Sequence, residues 1–249
     1  MKELPNSGGL LVPDDFNSGA VDEVRRIMGR YSASHAGPWR SFAAAWNALA
    51  YRYRAAYEYD QEFNEAMQAG DAPPAEERYR QERTLFAFFS AGLSAIECYC
   101  FAGYCVGSIA KPEAFPMTKD RDLRFYPSDV AKLFGSEFPG EHITRSLNEL
   151  VNGPEFSRLS DWRNVLSHRG MFPRSIHMSL GSPAVKTGAY VASNPKSLSS
   201  NWQFDQTVDA DLTLTVRKWL TRTLDDSLDS ICIFVRQHLD KGATPSSNS

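Results

Sequence analysis

The sequence contains few cysteines and no strong excess of positive or negative charge. Each of these two features excludes a class of protein. Four cysteines among 249 residues do not make the disulfide framework of a small secreted domain. A formal net charge of −3 and an isoelectric point near 6.0 argue against a protein that coats nucleic acid over its whole surface. Any contact with RNA therefore has to come from a local patch.

The short motifs of many nucleotide-binding and hydrolytic enzymes are also missing. The sequence contains no phosphate-cradling glycine loop, no Walker sequence, no G-x-S-x-G elbow and no internal repeat. Cys98, Cys100 and Cys105 share one apolar stretch, and on a continuous helix this spacing cannot wrap a tetrahedral metal. We therefore expect no metal and no cofactor, and we interpret these cysteines as small buried residues.

The first residues, from Met1 to Pro5, lack the apolar core and the small-residue cleavage site of a secretory signal. This absence and the few cysteines lead us to expect a cytoplasmic protein.

One long apolar run, from Leu85 to Ala110, is long enough to span a membrane, and Gly103 and Gly107 form a small-residue pair within it. Its only charge is Glu97, and a carboxylate at mid-span costs roughly 2.5 to 3.5 kcal/mol on insertion scales. The neighbouring amphipathic segments also need an apolar centre to pack around. We therefore expect a central helix of a bundle and no contact with a membrane.

Helical periodicity is the strongest signal that the sequence does contain. From Trp39 to Met67 apolar residues recur at alternating steps of three and four, with Asp60 as the one break. This spacing predicts a long helix that packs nearly antiparallel against a partner. Together with further helical segments, at 20–31, 75–110, 129–134, 143–151, 152–170 and 210–241, it predicts an all-α fold, an elongated helical bundle.

The domain organisation follows from these segments. We expect residues 1–19 to form a poorly ordered arm, 20–241 a single domain and 242–249 a disordered tail. Within the domain, 175–207 are expected to form a loop or small β-ribbon insertion before the last helix. Alternation at Ile176, Met178 and Leu180, and again at Trp202, Phe204 and Gln206, predicts its two strands. This insertion either borders the candidate site near Gly170, described next, or is a surface loop without a functional role.

Chemically capable side chains crowd together in one place, near the end of the helix that Gly170 terminates. Asn164 and His168 lie four residues apart on one helix face, and the long side chain of Arg163 can reach the same spot. A guanidinium suits phosphate oxygens, and a helix C-terminus favours a protonated imidazole. These groups therefore form a candidate anion site. The alternative is that they only satisfy the free carbonyls of the helix end.

The helical pattern, with Arg163-Asn164-x-x-x-His168 near a helix end, resembles the HEPN superfamily, whose signature is Arg, a polar residue and a later His. The resemblance covers the apolar helix from Leu85, the motif helix and the last helix. It does not explain the first 70 residues, the loop from Lys111 or the ribbon. A second stretch, from Arg30 to His35, fits the signature less well because a tyrosine takes the polar position.

Family members are often metal-independent endoribonucleases that act as toxins or anti-phage effectors, with two protomers forming one composite cleft. The resemblance implies that His168 is the general acid or base, that Arg163 stabilises charge on the phosphorane and that Asn164 holds His168 or the phosphate in place. We further expect Glu97 and Ser167 to orient these groups, and Arg158, Arg169 and Arg174 to form an RNA-binding rim.

The partners implied by this resemblance are RNA or a nucleotide, a second copy of the chain, and an antitoxin or sensor protein. A different class of function stays open: a non-catalytic HEPN-like bundle that binds a nucleotide, RNA or a protein partner through the same cationic pocket. If Glu97 is buried, its carboxylate needs a cation, and we expect Arg163 or His168 to supply it, with a partner elsewhere or an exposed position as the alternative.

Overall fold

The computed structural model describes residues 1–69, 73–117, 126–168, 190–193 and 204–240. These residues form an all-α helical bundle with two very short antiparallel sheets, which confirms the predicted fold class. The helices are α1 (Ser18–Gly29), α2 (Ala36–Met67), α3 (Ala75–Ala110), α4 (Pro127–Glu137), α5 (His142–Asn152), α6 (Pro154–His168) and α7 (Ala210–His238). The strands are β1 (Lys2–Glu3), β2 (Leu11–Val12), β3 (Tyr190–Ser193) and β4 (Phe204–Val208).

The chain divides into two compact units. The first comprises Met1–Arg52, Ser94–Gly153 and Thr221–Ser249, and the second comprises Tyr53–Leu93 and Pro154–Leu220. Helices α2, α3 and α7 each contribute to both units. The single domain expected for 20–241 therefore stays a prediction, and 242–249 lie outside the described residues.

Aromatic packing forms the core of the first unit. In α2 the buried ring of Trp46 stacks on Phe42 at 5.2 Å, and its Nε1 donates a hydrogen bond to the carbonyl of Val21 at 3.0 Å. A second group of rings joins α4 to α7, with Phe134 and Phe234 edge to face at 5.5 Å. The apolar residues that recur at steps of three and four in α2 thus face the interior, as the periodicity predicts.

The expectation of a poorly ordered arm over 1–19 is wrong. Strands β1 and β2 pair in this segment, and Leu4, Val12 and Phe16 are buried. The turn between the strands uses positive φ angles of 67° at Gly8 and 88° at Gly9, which glycine adopts readily. The glycines that suggested disorder therefore make a turn that brings apolar side chains into the core.

Helix α3 is long enough and apolar enough to span a membrane, but 61% of its most apolar 18-residue stretch is buried within the protein. Within the first unit the buried Tyr99 hydroxyl donates a hydrogen bond to the carbonyl of Ser227 at 2.9 Å. This burial favours the predicted central helix of a bundle.

A two-stranded ribbon lies before α7. β4 includes Phe204 and Gln206, as expected, and it pairs antiparallel with β3. Its partner strand, Tyr190–Ser193, was not predicted from the sequence. Ile176, Met178 and Leu180 lie outside the described residues, so the strand expected there stays a prediction.

Candidate functional site

Helix α6 carries the predicted motif and has nearly the bounds expected from the sequence. Gly153 closes α5 in an extended conformation (φ −66°, ψ 139°), and Pro154 opens α6, where its missing N–H costs nothing. The helix ends at His168. Arg163, Asn164 and the backbone of His168 therefore occupy its last two turns.

One face of α6 packs into the second unit and fixes the orientation of the helix. Leu159, Trp162 and Val165 are between 1% and 5% exposed. The Trp162 ring lies 5.1 Å from the ring of Phe89 in α3. Gly92 of α3 lies close to Leu159, since a Cβ there would be in ordinary van der Waals contact with its side chain, at 3.9 Å. This apolar face determines which residues of the motif stay outside the core.

The polar residues of α6 lie away from that packed face. At about 100° per residue, Asn164 lies roughly 200° around the helix from Trp162. Arg163 and Asn164 are half-buried, and Ser167 and Arg158 are exposed. The helix thus places the Arg-Asn pair at the boundary between core and solvent.

For several other predicted site residues, the described structure shows no contact with the polar face of α6. Arg169, Arg174 and the side chain of His168 lie outside the described residues. Glu97 is half-buried in α3 and belongs to the first unit, whereas Arg163 belongs to the second. Pairing of Glu97 with Arg163 or His168 therefore stays a prediction.

The cysteines near Glu97 do not offer an activated thiolate. Burial raises the pKa of the Cys98 and Cys100 thiols, and the negative charge of Glu97 raises both further. Within the described residues no group of three or more His, Cys, Asp and Glu side chains is arranged to hold a metal ion. Cys100 and Cys105 are buried and Cys98 is half-buried.

A polar cluster that the sequence did not reveal lies in the second unit. Asp60 of α2 is 2% exposed and is paired with Arg217 of α7, whose Nε is 2.7 Å from Oδ2 of Asp60. Asn64 donates from Nδ2 to Oδ1 of Asp60 at 3.3 Å, while its own Oδ1 is buried and has no hydrogen-bond partner among the described residues. The signal for this cluster was the acidic break in the apolar seam of α2, because a buried carboxylate requires a cation.

Comparisons with known proteins add nothing to these observations. No protein-family model matches the chain, and neither the curated proteins nor the solved structures contain a significant match.

Proposed function

We propose that this protein is a metal-independent endoribonuclease of the HEPN type, with the C-terminal end of α6 as the cleaving site. The observation that carries the proposal is the orientation of α6. Its apolar face packs inward through Trp162 and its neighbours, which leaves Asn164 on the opposite side and Arg163 at the boundary. A side chain that binds an RNA phosphate has to be accessible from solvent, and this orientation keeps Arg163 and Asn164 out of the packed face.

The residue types suit the attack of a ribose 2′-hydroxyl on the neighbouring phosphate. A general base removes the proton from the 2′-hydroxyl, the 2′-oxygen forms a bond to phosphorus, and the bond to the 5′-oxygen breaks. A general acid then gives that oxygen a proton, which leaves a 2′,3′-cyclic phosphate and a free 5′-hydroxyl. His168 takes one of the two proton-transfer roles.

The other two residues act on the phosphate. The guanidinium of Arg163 offers a planar fork of N–H donors that matches two phosphate oxygens and stabilises the charge that develops on them. Asn164 holds the imidazole or the phosphate in position. Ser167 and Arg158, both exposed on α6, extend the surface that RNA contacts.

A homodimer follows from the same chemistry. The reaction needs a base and an acid, and one motif supplies a single imidazole. A twofold axis between two α6 helices supplies the second imidazole from the other copy. Because such an enzyme would damage the RNA of its own cytoplasm, we include a restraining antitoxin or an activating sensor protein in the proposal, as expected for a toxin or an anti-phage effector.

One observation favours a second candidate function. Arg163 already interacts with another group of the chain, so part of its role is structural. A non-catalytic bundle that binds a nucleotide, RNA or a protein partner through this end of α6 would use Arg163 in that way.

The test compares the purified wild type with His168→Ala on single-stranded RNA in the presence of a chelator. We expect cleavage that resists the chelator, yields 2′,3′-cyclic ends and is lost in His168→Ala. His35→Ala is the matched control, because His35 ends the second, poorer copy of the motif, and it should cleave like the wild type. Equal inertness of the wild type and His168→Ala would favour the binding function.

Arg163→Lys separates charge from geometry at the same site. The substitution keeps the positive charge and removes the fork, so we expect cleavage to slow by roughly 10- to 100-fold. A rate equal to that of the wild type would contradict the role assigned to Arg163.

A further inference from the structure

A small cavity opens on the surface of the first unit, between the N-terminal hairpin and α2. Its volume is about 130 Å³. Buried residues Leu4 and Ala50 contribute apolar lining, and the remaining lining residues are Asn6, Ser7, Leu10, Asn47 and Tyr51. Since an engineered cavity of about 150 Å³ in another protein accepts benzene, this one has room for a single six-membered ring.

Each of two asparagine side chains of the lining uses one of its two amide groups in a hydrogen bond to the protein. The Oδ1 of Asn47 accepts a hydrogen bond from Nη2 of Arg25 at 2.7 Å, and the Nδ2 of Asn6 donates to Asp22 at 2.6 Å. Within the described residues, the Nδ2 of Asn47 and the Oδ1 of Asn6 have no hydrogen-bond partner of their own. Two lining residues therefore each keep one amide group that no described protein group occupies, a donor on Asn47 and an acceptor on Asn6.

An aromatic ring completes the lining. Tyr51 follows Asn47 by four residues on the same face of α2, and 56% of its surface is exposed. An exposed tyrosine beside polar side chains offers a flat face on which another ring can stack.

The loop that supplies Asn6 is held in one conformation before any ligand arrives. Asn6 has a φ of 56°, in the left-handed region, which asparagine tolerates better than most residues. Arg25 donates from Nη1 to the carbonyl of Asn6 at 2.7 Å, and the Ser7 hydroxyl donates to the carbonyl of Leu4. Such pre-organisation lowers the entropy that binding costs.

We propose that this cavity binds a pyrimidine base, stacked on Tyr51 and hydrogen-bonded by the amides of Asn47 and Asn6. Cytosine and uracil each carry a donor next to an acceptor on one edge, which complements the two amides. A volume of about 130 Å³ suits one ring better than the two fused rings of a purine. The inference stands apart from the proposed cleavage site, which belongs to the other unit.

The experiment titrates the full chain with cytidine and uridine, and with adenosine as the size control, by ligand-observed NMR. We expect both pyrimidine nucleosides to bind more tightly than adenosine. Tyr51→Ala should weaken binding by about tenfold or more, in the range expected for the loss of one base–aromatic stack, while Tyr51→Phe keeps most of it. Asn47→Asp keeps an oxygen for Arg25 but removes the donor, so it should also lose affinity.

Tyr79→Ala is the matched control, because Tyr79 is 61% exposed on α3 and is not among the lining residues. It should bind pyrimidines like the wild type, and so should His168→Ala, which separates this site from the proposed nuclease. A second arm compares oligouridylate with uridine in the His168→Ala chain, which is not expected to cleave the oligomer: tighter binding of the oligomer that Tyr51→Ala weakens identifies a base within RNA as the ligand, and equal binding identifies a free nucleotide. Absence of pyrimidine binding, or unchanged binding in folded Tyr51→Ala and Asn47→Asp, would overturn the proposal.

Discussion

The carboxylate of Asp60 accepts a hydrogen bond from Nε of Arg217 at 2.7 Å and so joins α2 to α7 within the second unit. The side chain of Asp60 is 2% exposed and that of Arg217 is 18% exposed. The guanidinium carbon of Arg217 also lies 5.0 Å from the centre of the Tyr57 ring, a cation–π distance. The only acidic residue in the apolar seam of α2 is thus neutralised by a residue that lies 157 positions away in the chain.

Replacing Arg217 with methionine is expected to destabilise the protein strongly. The change keeps most of the apolar stem but leaves the carboxylate of Asp60 buried without its cation. Removing one partner of a buried pair typically costs about 3 to 5 kcal/mol, and we expect about 3 kcal/mol here because Arg217 keeps some contact with water. Urea unfolding at neutral pH measures the difference.

The double variant Asp60→Leu/Arg217→Met is the control for this prediction. It removes both charges and should recover much of the loss, because apolar replacements of a buried pair are often close to neutral. A double variant less stable than Arg217→Met would contradict the view that the unpaired carboxylate causes the loss.

The sequence predicted long elements well because their information is local. The bounds of α3 match the expected 75–110, and α2 starts and ends within three residues of the expected positions. Asp60 could be recognised as a break in the seam, but its partner could not, because several cationic residues follow it and periodicity does not choose among them. Pairing across the chain depends on tertiary packing.

Short segments were harder for a related reason. The N-terminal hairpin depends on Leu4 and Phe16 finding places in a core that local composition does not reveal. In the same way, Asn47 and Tyr51 lie four residues apart on an exposed helix face, a pattern typical of any solvated surface. Only the folded structure shows that the loop at Asn6 lies beside them. For α6 the sequence predicted a helix that begins near Gly153 and includes His168, since the signals for it are local.

Gly107 makes room for an aromatic ring, and its replacement by alanine tests that contact. A Cβ at Gly107 would lie 2.7 Å from Cδ1 of Phe115, closer than side chains pack, and the Phe115 ring is fully buried. Overpacking of this kind typically costs about 1 to 3 kcal/mol. We expect Gly107→Ala to lower the free energy of unfolding by that amount in a thermal or urea titration.

Gly103→Ala provides the comparison within the same helix. No atom of the described residues lies within 4 Å of a Cβ at this position, so the change should stabilise α3 by up to about 1 kcal/mol through helix propensity alone. If both variants changed stability in the same direction and by similar amounts, the two glycines would act through the backbone, and the contact with Phe115 would not explain Gly107.

The pH dependence of stability should show the contribution of Glu23. Hydrogen bonds from Arg26, at 2.7 and 2.9 Å, and from Arg236, at 3.2 Å, lower the pKa of this carboxyl from 4.5 to about 2. Because the folded-state pKa lies below the unfolded value, the stabilisation is present above pH 4.5 and is lost as the pH falls towards 2. Since Glu23 is 23% exposed, we expect about 1 kcal/mol.

Urea midpoints of the wild type and Glu23→Gln between pH 2 and pH 7 measure this contribution. The variant should be less stable at pH 7, and the two curves should converge near pH 2. Glu58→Gln is a useful comparison, because Glu58 pairs only across one turn of α2 with Arg54, at 2.7 Å, and i,i+4 pairs contribute a few tenths of a kcal/mol. Parallel curves for the wild type and Glu23→Gln would contradict the prediction.

The proposed composite site makes a prediction that does not depend on knowing the natural RNA. If the cleft needs His168 from both copies, a heterodimer of wild-type and His168→Ala chains has one imidazole and cannot supply both the acid and the base. Adding an equal amount of His168→Ala chain to a fixed amount of wild type, with exchange of subunits, places about half of the wild-type chains in heterodimers. RNA cleavage should then fall about twofold, although the amount of wild-type chain is unchanged. Cleavage that stays constant after complete exchange would mean that each chain works alone, and the acid and the base would then have to come from one copy of α6 and its surroundings.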